Sequence, residues 1–219
     1  MVFGKIEYLN LLPFHVFMKR FTKNSSAKIA MHYKGSVPAK INTEFHAKRV
    51  DAAFISSIKA KKAQHIQLGI IAKKDVKSVL VIPSNTNRLD KESASSNILL
   101  QVLGLEGEVL IGDKALHYAL QNPHYIDLAQ QWHDRYKLPF VFALLCYHKE
   151  PKLYKKIEKE FLKTKVKIPQ YILKNAAKKT KISPHDILEY LQLISYKLDT
   201  KAQMGLNKFY KLAKKYEHL

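Results

Sequence analysis

Apolar positions recur along this chain in two periods, and the switches between them mark out its elements. Lys5 to Leu9 reads as a short strand. Beyond Asn10 and Pro13, the residues Phe14, Phe17, Met18 and Phe21 fall at helical spacing and form one core-facing stripe. Ser36-Val37-Pro38 opens a second helix that carries Ile41, Phe45 and Ala47, and Arg49-Val50-Asp51 turns into an apolar strand, Ala52 to Ile55. Strands follow at Leu68 to Ala72 and at Ser78 to Ile82, the latter ended by Pro83-Ser84-Asn85. The next stretch predicts a helix through Ile98 to Leu103, a strand at Val109 to Ile111, and helices over Lys114 to Gln121 and around Leu128 to Tyr136. A buried strand then runs from Phe140 to Cys146. After Pro151 the pattern is helical throughout. Leu153, Ile157 and Phe161 share a face, Ser183-Pro184-His185-Asp186 caps a helix carrying Ile187, Leu188, Leu191 and Ile194, and Leu206, Phe209, Ala213 and Tyr216 line the last helix.

Two of these strands look like crossings between separate groups of elements. Ser78 to Ile82 leaves the first group and Phe140 to Leu145 returns to it. This predicts an α/β protein of two lobes, residues 1–82 with 145–219 in one and 83–144 in the other, with a ligand cleft between them.

Small polar residues stand where strands run into helix starts. Asn10 follows the first strand, Ser56-Ser57 follow Ala52 to Ile55, Ser78 opens a crossing strand, Ser95-Ser96-Asn97 precede the helix at Ile98, and Gly112-Asp113 follow Val109 to Ile111. In α/β proteins such positions converge on one crevice, and the free N–H groups of helix starts there favour anions. Asp113 has a second reading as the N-cap of the helix that follows it. Trp132 and Phe140 read as core, and Cys146, in an apolar strand, as an inert thiol.

A net charge of +20 raises the question of nucleic acid. The arginines are only Arg20, Arg49, Arg88 and Arg135, and the lysines are dispersed on the polar sides of helices, which describes a solvated surface and no nucleic-acid partner. Such a field still attracts a small dianion. No apolar run is long enough to cross a bilayer, no signal-peptide order opens the chain, and one cysteine gives no disulfide framework, so a cytoplasmic protein is expected. P-loop, dinucleotide, zinc-protease and serine-hydrolase signatures are lacking. His15, His46 and His117 lie on helices without metal-ligand spacing, so neither metal nor cofactor is expected.

Several segments, in order, resemble the chorismate dehydratase family, relatives of periplasmic-type solute-binding proteins. They are Ile6-Glu7-Tyr8-Leu9-Asn10-Leu11-Leu12-Pro13, Val50-Asp51-Ala52-Ala53-Phe54-Ile55-Ser56-Ser57, Val76-Lys77-Ser78-Val79, Ser93-Ala94-Ser95-Ser96 and Leu110-Ile111-Gly112-Asp113-Lys114-Ala115-Leu116. Asp127-Leu128 with Trp132, and Leu138-Pro139-Phe140-Val141-Phe142-Ala143, complete the set. There are departures. Tyr136-Lys137 stand where the family has Thr-Gly, losing a residue that tolerates positive φ, Ser95 replaces a threonine, and the chain is shorter between Pro83 and Ser93 and around Leu105 to Glu108.

The resemblance implies a two-lobed fold of the periplasmic-binding-protein type 2 kind with a helical C-terminal tail. It also implies a carbon–oxygen lyase of menaquinone biosynthesis by the futalosine route, converting chorismate to 3-[(1-carboxyvinyl)oxy]benzoate without cofactor. On that reading Asn10 and Ser78 act on the substrate, and Ser56, Ser57, Ser95, Ser96, Asn97 and Asp113 bind it. None of the matched groups suits a general base, which leaves the substrate's own enolpyruvyl carboxylate to take the ring proton. Two other readings remain open: a non-catalytic binding protein for small anions, and the dihydroxynaphthoate synthase of the same pathway.

Overall fold

The structure is a computed structural model and describes residues 1–24 and 31–216, so the last three positions of the expected tail lie outside it. Two sheets organise the chain. The larger has the order β2-β1-β3-β8-β4-β9, formed by β1 (Val2–Lys5), β2 (His32–Gly35), β3 (Ala52–Ser56), β4 (His65–Ala72), β8 (Phe140–Tyr147) and β9 (Ile194–Lys197). The smaller has the order β6-β5-β7, from β5 (Val79–Ile82), β6 (Glu108–Ile111) and β7 (Ile126–Asp127). Strand β1 is parallel to both β2 and β3, whereas β8 lies antiparallel to β3 and β4. Every residue of β3 is buried, which is why it reads as a continuous apolar run rather than an alternating one.

Pairing moves the sequence-drawn boundaries of the lobes. Strand β5 bonds to β6 and β7, so it belongs with the smaller sheet rather than with residues 1–72, and the whole of β8, from Phe140, belongs with the larger. The chain therefore crosses at residues 73–78 and again at 137–139. Strand β1 also begins earlier than the apolar pattern suggests, because Phe3 and Gly4 pair with Ala52 and Ala53, and Leu9–Leu11 form a 3-10 turn instead of a strand end. The all-helical tail is interrupted by β9. Ile194 keeps the helical spacing of Ile187 and Leu191, yet it pairs with Ala72 and helps cover the outer edge of β4. Strand β2 is exposed along its length and carries no periodic signal.

Helices cover both sheets. On α1 (Leu12–Asn24) the stripe of Phe14, Phe17 and Met18 is buried, and the Phe14 ring meets Phe54 of β3 edge-on at 5.0 Å and Phe161 of α6 (Pro151–Lys163) at 5.3 Å. Ile41 and Phe45 of α2 (Pro38–His46) are buried on the same sheet. The smaller sheet carries α3 (Ala94–Leu103), α4 (Gly112–Gln121) and α5 (Leu128–Tyr136). The tail helices α7 (Gln170–Thr180), α8 (Pro184–Leu193) and α9 (Thr200–Ala213) complete the molecule, with Phe209 of α9 against Phe140 at 4.9 Å. Trp132 is a core residue: its ring packs on Phe140 and its indole N–H donates to the Pro139 carbonyl at 3.2 Å.

Both crossings are fixed by local bonds. The buried carboxylate of Asp127 caps α5 through the N–H groups of Ala129 and Gln130, and its other oxygen accepts from Val76 and Lys77 at 2.9 and 2.7 Å. Val76 and Lys77 lead directly into Ser78. At the return crossing, Lys137 adopts φ 55 and its N–H donates to the His133 carbonyl at 2.7 Å. The chain thus keeps the left-handed turn that glycine would make easily and builds it from lysine, at a cost on the order of 1 kcal/mol. Lys137→Gly is expected to raise stability by about 0.5–1 kcal/mol, read as an increased urea midpoint at unchanged slope. An unchanged or lower midpoint contradicts the strain assigned to this turn.

Candidate functional site

Where the two sheets face each other they enclose a cavity of about 80 Å³, lined by Asn10, Ser56, Ser78, Ser93 and Ser96 together with apolar groups that include Ile6, Phe54, Val79, Ile111 and Phe142. Among the described residues, Tyr8 is the sole titratable side chain on this lining; no lysine, arginine, histidine, aspartate or glutamate contributes to it. Burial, followed by the adjacent Glu92 carboxylate, drives the Tyr8 phenol far above its usual range and keeps it protonated. The cavity is smaller than the several hundred Å³ usual for a ligand pocket, so a substrate enters only when the lobes part.

Of the residues expected at the site, the structure brings Asn10, Ser56, Ser78 and Ser96 together on the lining. Asn10 lies in the 3-10 turn after β1, and its Oδ1 is buried with no hydrogen-bond partner. Ser56 ends β3 and is gripped by Asn42 of α2, which donates Nδ2 to the Ser56 hydroxyl at 2.9 Å and accepts the Ser56 N–H at 3.1 Å. Ser96 lies in the first turn of α3, where Ser93 is the cap: the Ser93 hydroxyl accepts the Ser96 N–H at 3.2 Å and donates to Ser96 Oγ at 2.7 Å.

Four of the expected ligands lie off this lining. Ser57 and Ser95 are buried against each other across the two lobes, their hydroxyls 3.0 Å apart, and Ser95 Oγ also accepts the Ile58 N–H at 3.1 Å. Neither reaches the cavity, because the hydroxyls point into the lobe contact. Asn97 is also off the lining: its amide is taken up on both sides by the backbone of Asp90. Asp113 sits beyond Tyr8, on a separate outer pocket, and its Oδ1 accepts the Leu9 N–H at 2.9 Å, again across the lobes.

These bonds belong to a set that holds the cleft shut. The Tyr8 hydroxyl donates to the Glu92 carboxylate, and Gly112, at φ 67, lets the Tyr8 ring lie where a Cβ would approach it to 2.8 Å. Sequence reasoning passed over Tyr8, Asn42, Ser93 and the tail tyrosines Tyr190 and Tyr196. Tyr8 and Ser93 stand inside segments quoted for the family resemblance, but their partners are distant in the chain and leave no local trace. Tyr190 donates to Ser78 Oγ at 2.9 Å and Tyr196 to the Asn10 carbonyl at 2.6 Å. Cys146 is buried, and burial raises its thiol pKa well beyond nucleophilic range. Among the described residues no group of three His, Cys, Asp or Glu side chains is placed to hold a metal ion, and no helix is long and apolar enough to cross a membrane.

A family model described as menaquinone biosynthesis matches residues 1–108 and 104–215. A chorismate dehydratase of Campylobacter jejuni is 46% identical over 218 residues, covering 98% of each chain. Among solved structures, a protein of Archaeoglobus fulgidus superposes with a TM-score of 0.73 at 11% identity, covering 100% of this chain and 98% of its own. The periplasmic aliphatic sulphonate binding protein of Escherichia coli gives 0.63 at 11% identity, covering 100% and 88%. At that identity the structural likeness speaks for the fold alone, a two-lobed periplasmic-binding-protein-like one.

Burial holds the Asp113 carboxyl up at about 6, against the lowering influence of the Leu9 N–H and of Lys179. A folded-state value above the unfolded one means that this group's stabilising contribution is complete below about pH 4 and is lost as pH rises through about 6. Asp113→Asn keeps an acceptor for Leu9 and removes the titration. The variant is therefore expected to gain on the wild type in urea midpoint between about pH 4 and pH 7.5. A difference that stays constant with pH contradicts the assignment.

Proposed function

The chain belongs to the menaquinone-biosynthesis family that includes the Campylobacter chorismate dehydratase, and from that premise we propose that it removes water from chorismate to give 3-[(1-carboxyvinyl)oxy]benzoate, as a carbon–oxygen hydro-lyase. The observation that carries the mechanism is the lining itself: hydroxyls and an amide, with no side chain that is a base near neutral pH. Eliminating water from chorismate needs a proton removed from the ring carbon that bears the enolpyruvyl ether, and hydroxide lost from the neighbouring carbon. The C–H electron pair becomes the new ring double bond, the C–O bond breaks, and proton and hydroxide depart together as water. Aromaticity drives the step, and no electron leaves or enters the substrate.

With no protein base at hand, the enolpyruvyl carboxylate of the substrate takes the proton. The protein's task is to hold that carboxylate over the ring and to exclude water. Asn10 and Ser78 grip it, while Ser56 and Ser96 receive the ring carboxylate. Ser95 lies off the lining, its hydroxyl engaged in the lobe contact. Holding two reacting groups at contact distance is by itself worth several kcal/mol of barrier. Neutral donors suit the task, because a lysine or arginine beside the carboxylate would lower its basicity.

Incubation of the purified protein with chorismate is expected to yield an aromatic product lighter by one water, detected by mass and by ultraviolet absorption. Tight binding without turnover would support the solute-binding reading instead. Asn10→Asp nearly preserves shape but sets a negative charge beside the substrate carboxylate. At ~4 Å and an effective dielectric near 20 that repulsion is on the order of 4 kcal/mol, about a thousandfold in kcat/KM. Asn10→Ala should lose less. A folded Asn10→Asp protein with near-normal kcat/KM for chorismate removes Asn10 from the substrate.

A further inference from the structure

Three tyrosines of the C-terminal segment each donate a hydroxyl to a different residue singled out at the cleft. Tyr196 of β9 bonds the Asn10 carbonyl at 2.6 Å, Tyr210 of α9 the Ser57 carbonyl at 2.8 Å, and Tyr190 of α8 the Ser78 hydroxyl at 2.9 Å. None of the three lines the cavity. Tyr196 and Tyr210 reach backbone carbonyls and so fix the path of the chain. Tyr190 alone meets a side chain, donating to Ser78 Oγ.

We propose that Tyr190 is a positioning residue that aims Ser78 at the substrate carboxylate, an inference that rests on the dehydratase reading above. A serine hydroxyl has one hydrogen. Once Tyr190 occupies an acceptor site on Ser78 Oγ, the serine's own hydrogen turns elsewhere, and Ser78 lines the cavity. Asn10, on the same lining, keeps its buried Oδ1 without a protein partner. The result is a directed chain from Tyr190 O–H to Ser78 O–H and into the cleft. Tyr190 is almost wholly buried, and burial pushes its phenol well above its ordinary range, so the donor keeps its proton under working conditions. Wrapping α8 behind the cleft is what brings this hydroxyl to the end of the crossing segment.

The test uses the full chain and chorismate. Y190F keeps the ring and removes the hydroxyl. Its kcat is expected to fall about 10- to 100-fold, with KM changed by less than about threefold, since the lost bond is worth about 1–3 kcal/mol and a tenfold change corresponds to 1.36. The double variant Y190F/S78A should lie within about twofold of S78A, because the tyrosine acts through the serine. A kcat for Y190F within about threefold of the wild type overturns the proposal, and so do multiplicative losses with S78A. Should Y190F fail to fold, 3,5-difluorotyrosine at position 190 keeps shape and bond while lowering the phenol pKa. The alkaline limb of kcat then moves to lower pH, whereas an unmoved limb overturns the positioning role. Wild-type protein that makes no aromatic product from chorismate defeats the dehydratase reading and this inference together. An active wild type with an indifferent Y190F defeats the inference alone.

Discussion

A neutral hydrogen-bond donor holds an anion well only if it is aimed before the anion arrives, and the rest of this site follows from that constraint. Hydroxyls and amides rotate, and in water they would lose most of their advantage to solvent. Here the lining is held from behind. Asn42 grips Ser56, Ser93 caps and grips Ser96, and Tyr190 holds Ser78. The backbone beneath them is held as firmly, by Tyr196 on Asn10 and by the Asp127 carboxylate on the two residues that precede Ser78.

The same constraint explains why so basic a protein presents an uncharged cavity. A net charge of +20 draws a dianion toward the molecule from a distance, while the lining adds no positive charge of its own. A carboxylate that must act as a base profits from that division, because it is attracted and oriented without having its pKa depressed by an adjacent cation. Closure completes the arrangement. Tyr8 with Glu92, Leu9 with Asp113, and Ser57 with Ser95 link the lobes by hydrogen bonds, beside the apolar packing of Trp132 on Phe140 and Phe209.

Much of this was legible in the chain. Helical stripes such as Phe14, Phe17 and Met18, and the continuous apolar strand at Ala52 to Ile55, are dictated by burial and fall where the pattern puts them. Strand β2 was not legible, because it is an exposed edge with nothing periodic to read, and β9 was not, because Ile194 suits a helix face as well as a strand start. The lobe boundary moved for a similar reason: whether β5 pairs with β4 or with β6 is a tertiary choice that Val79 to Ile82 does not encode. At the site, the residue types were visible but their partners were not. Ser95 carries the same hydroxyl as Ser96, and Asn97 is a neutral donor beside them, and only the fold shows that Ser57 and Asp90 bond to these two. Lys137 runs the other way. Its sequence suggested a lost left-handed turn, and the chain makes that turn regardless.

The central claim is that the cleft holds the substrate's own carboxylate as the base. A crystal structure with the product 3-[(1-carboxyvinyl)oxy]benzoate bound tests it most directly. The account predicts the carboxyvinyl carboxylate within hydrogen-bond distance of the Asn10 amide and the Ser78 hydroxyl, folded back over the ring, with no lysine, histidine, aspartate or glutamate side chain reaching the ring carbon that carries the ether. An ionisable side chain of the protein at that carbon, with the carboxylate held elsewhere, would contradict it.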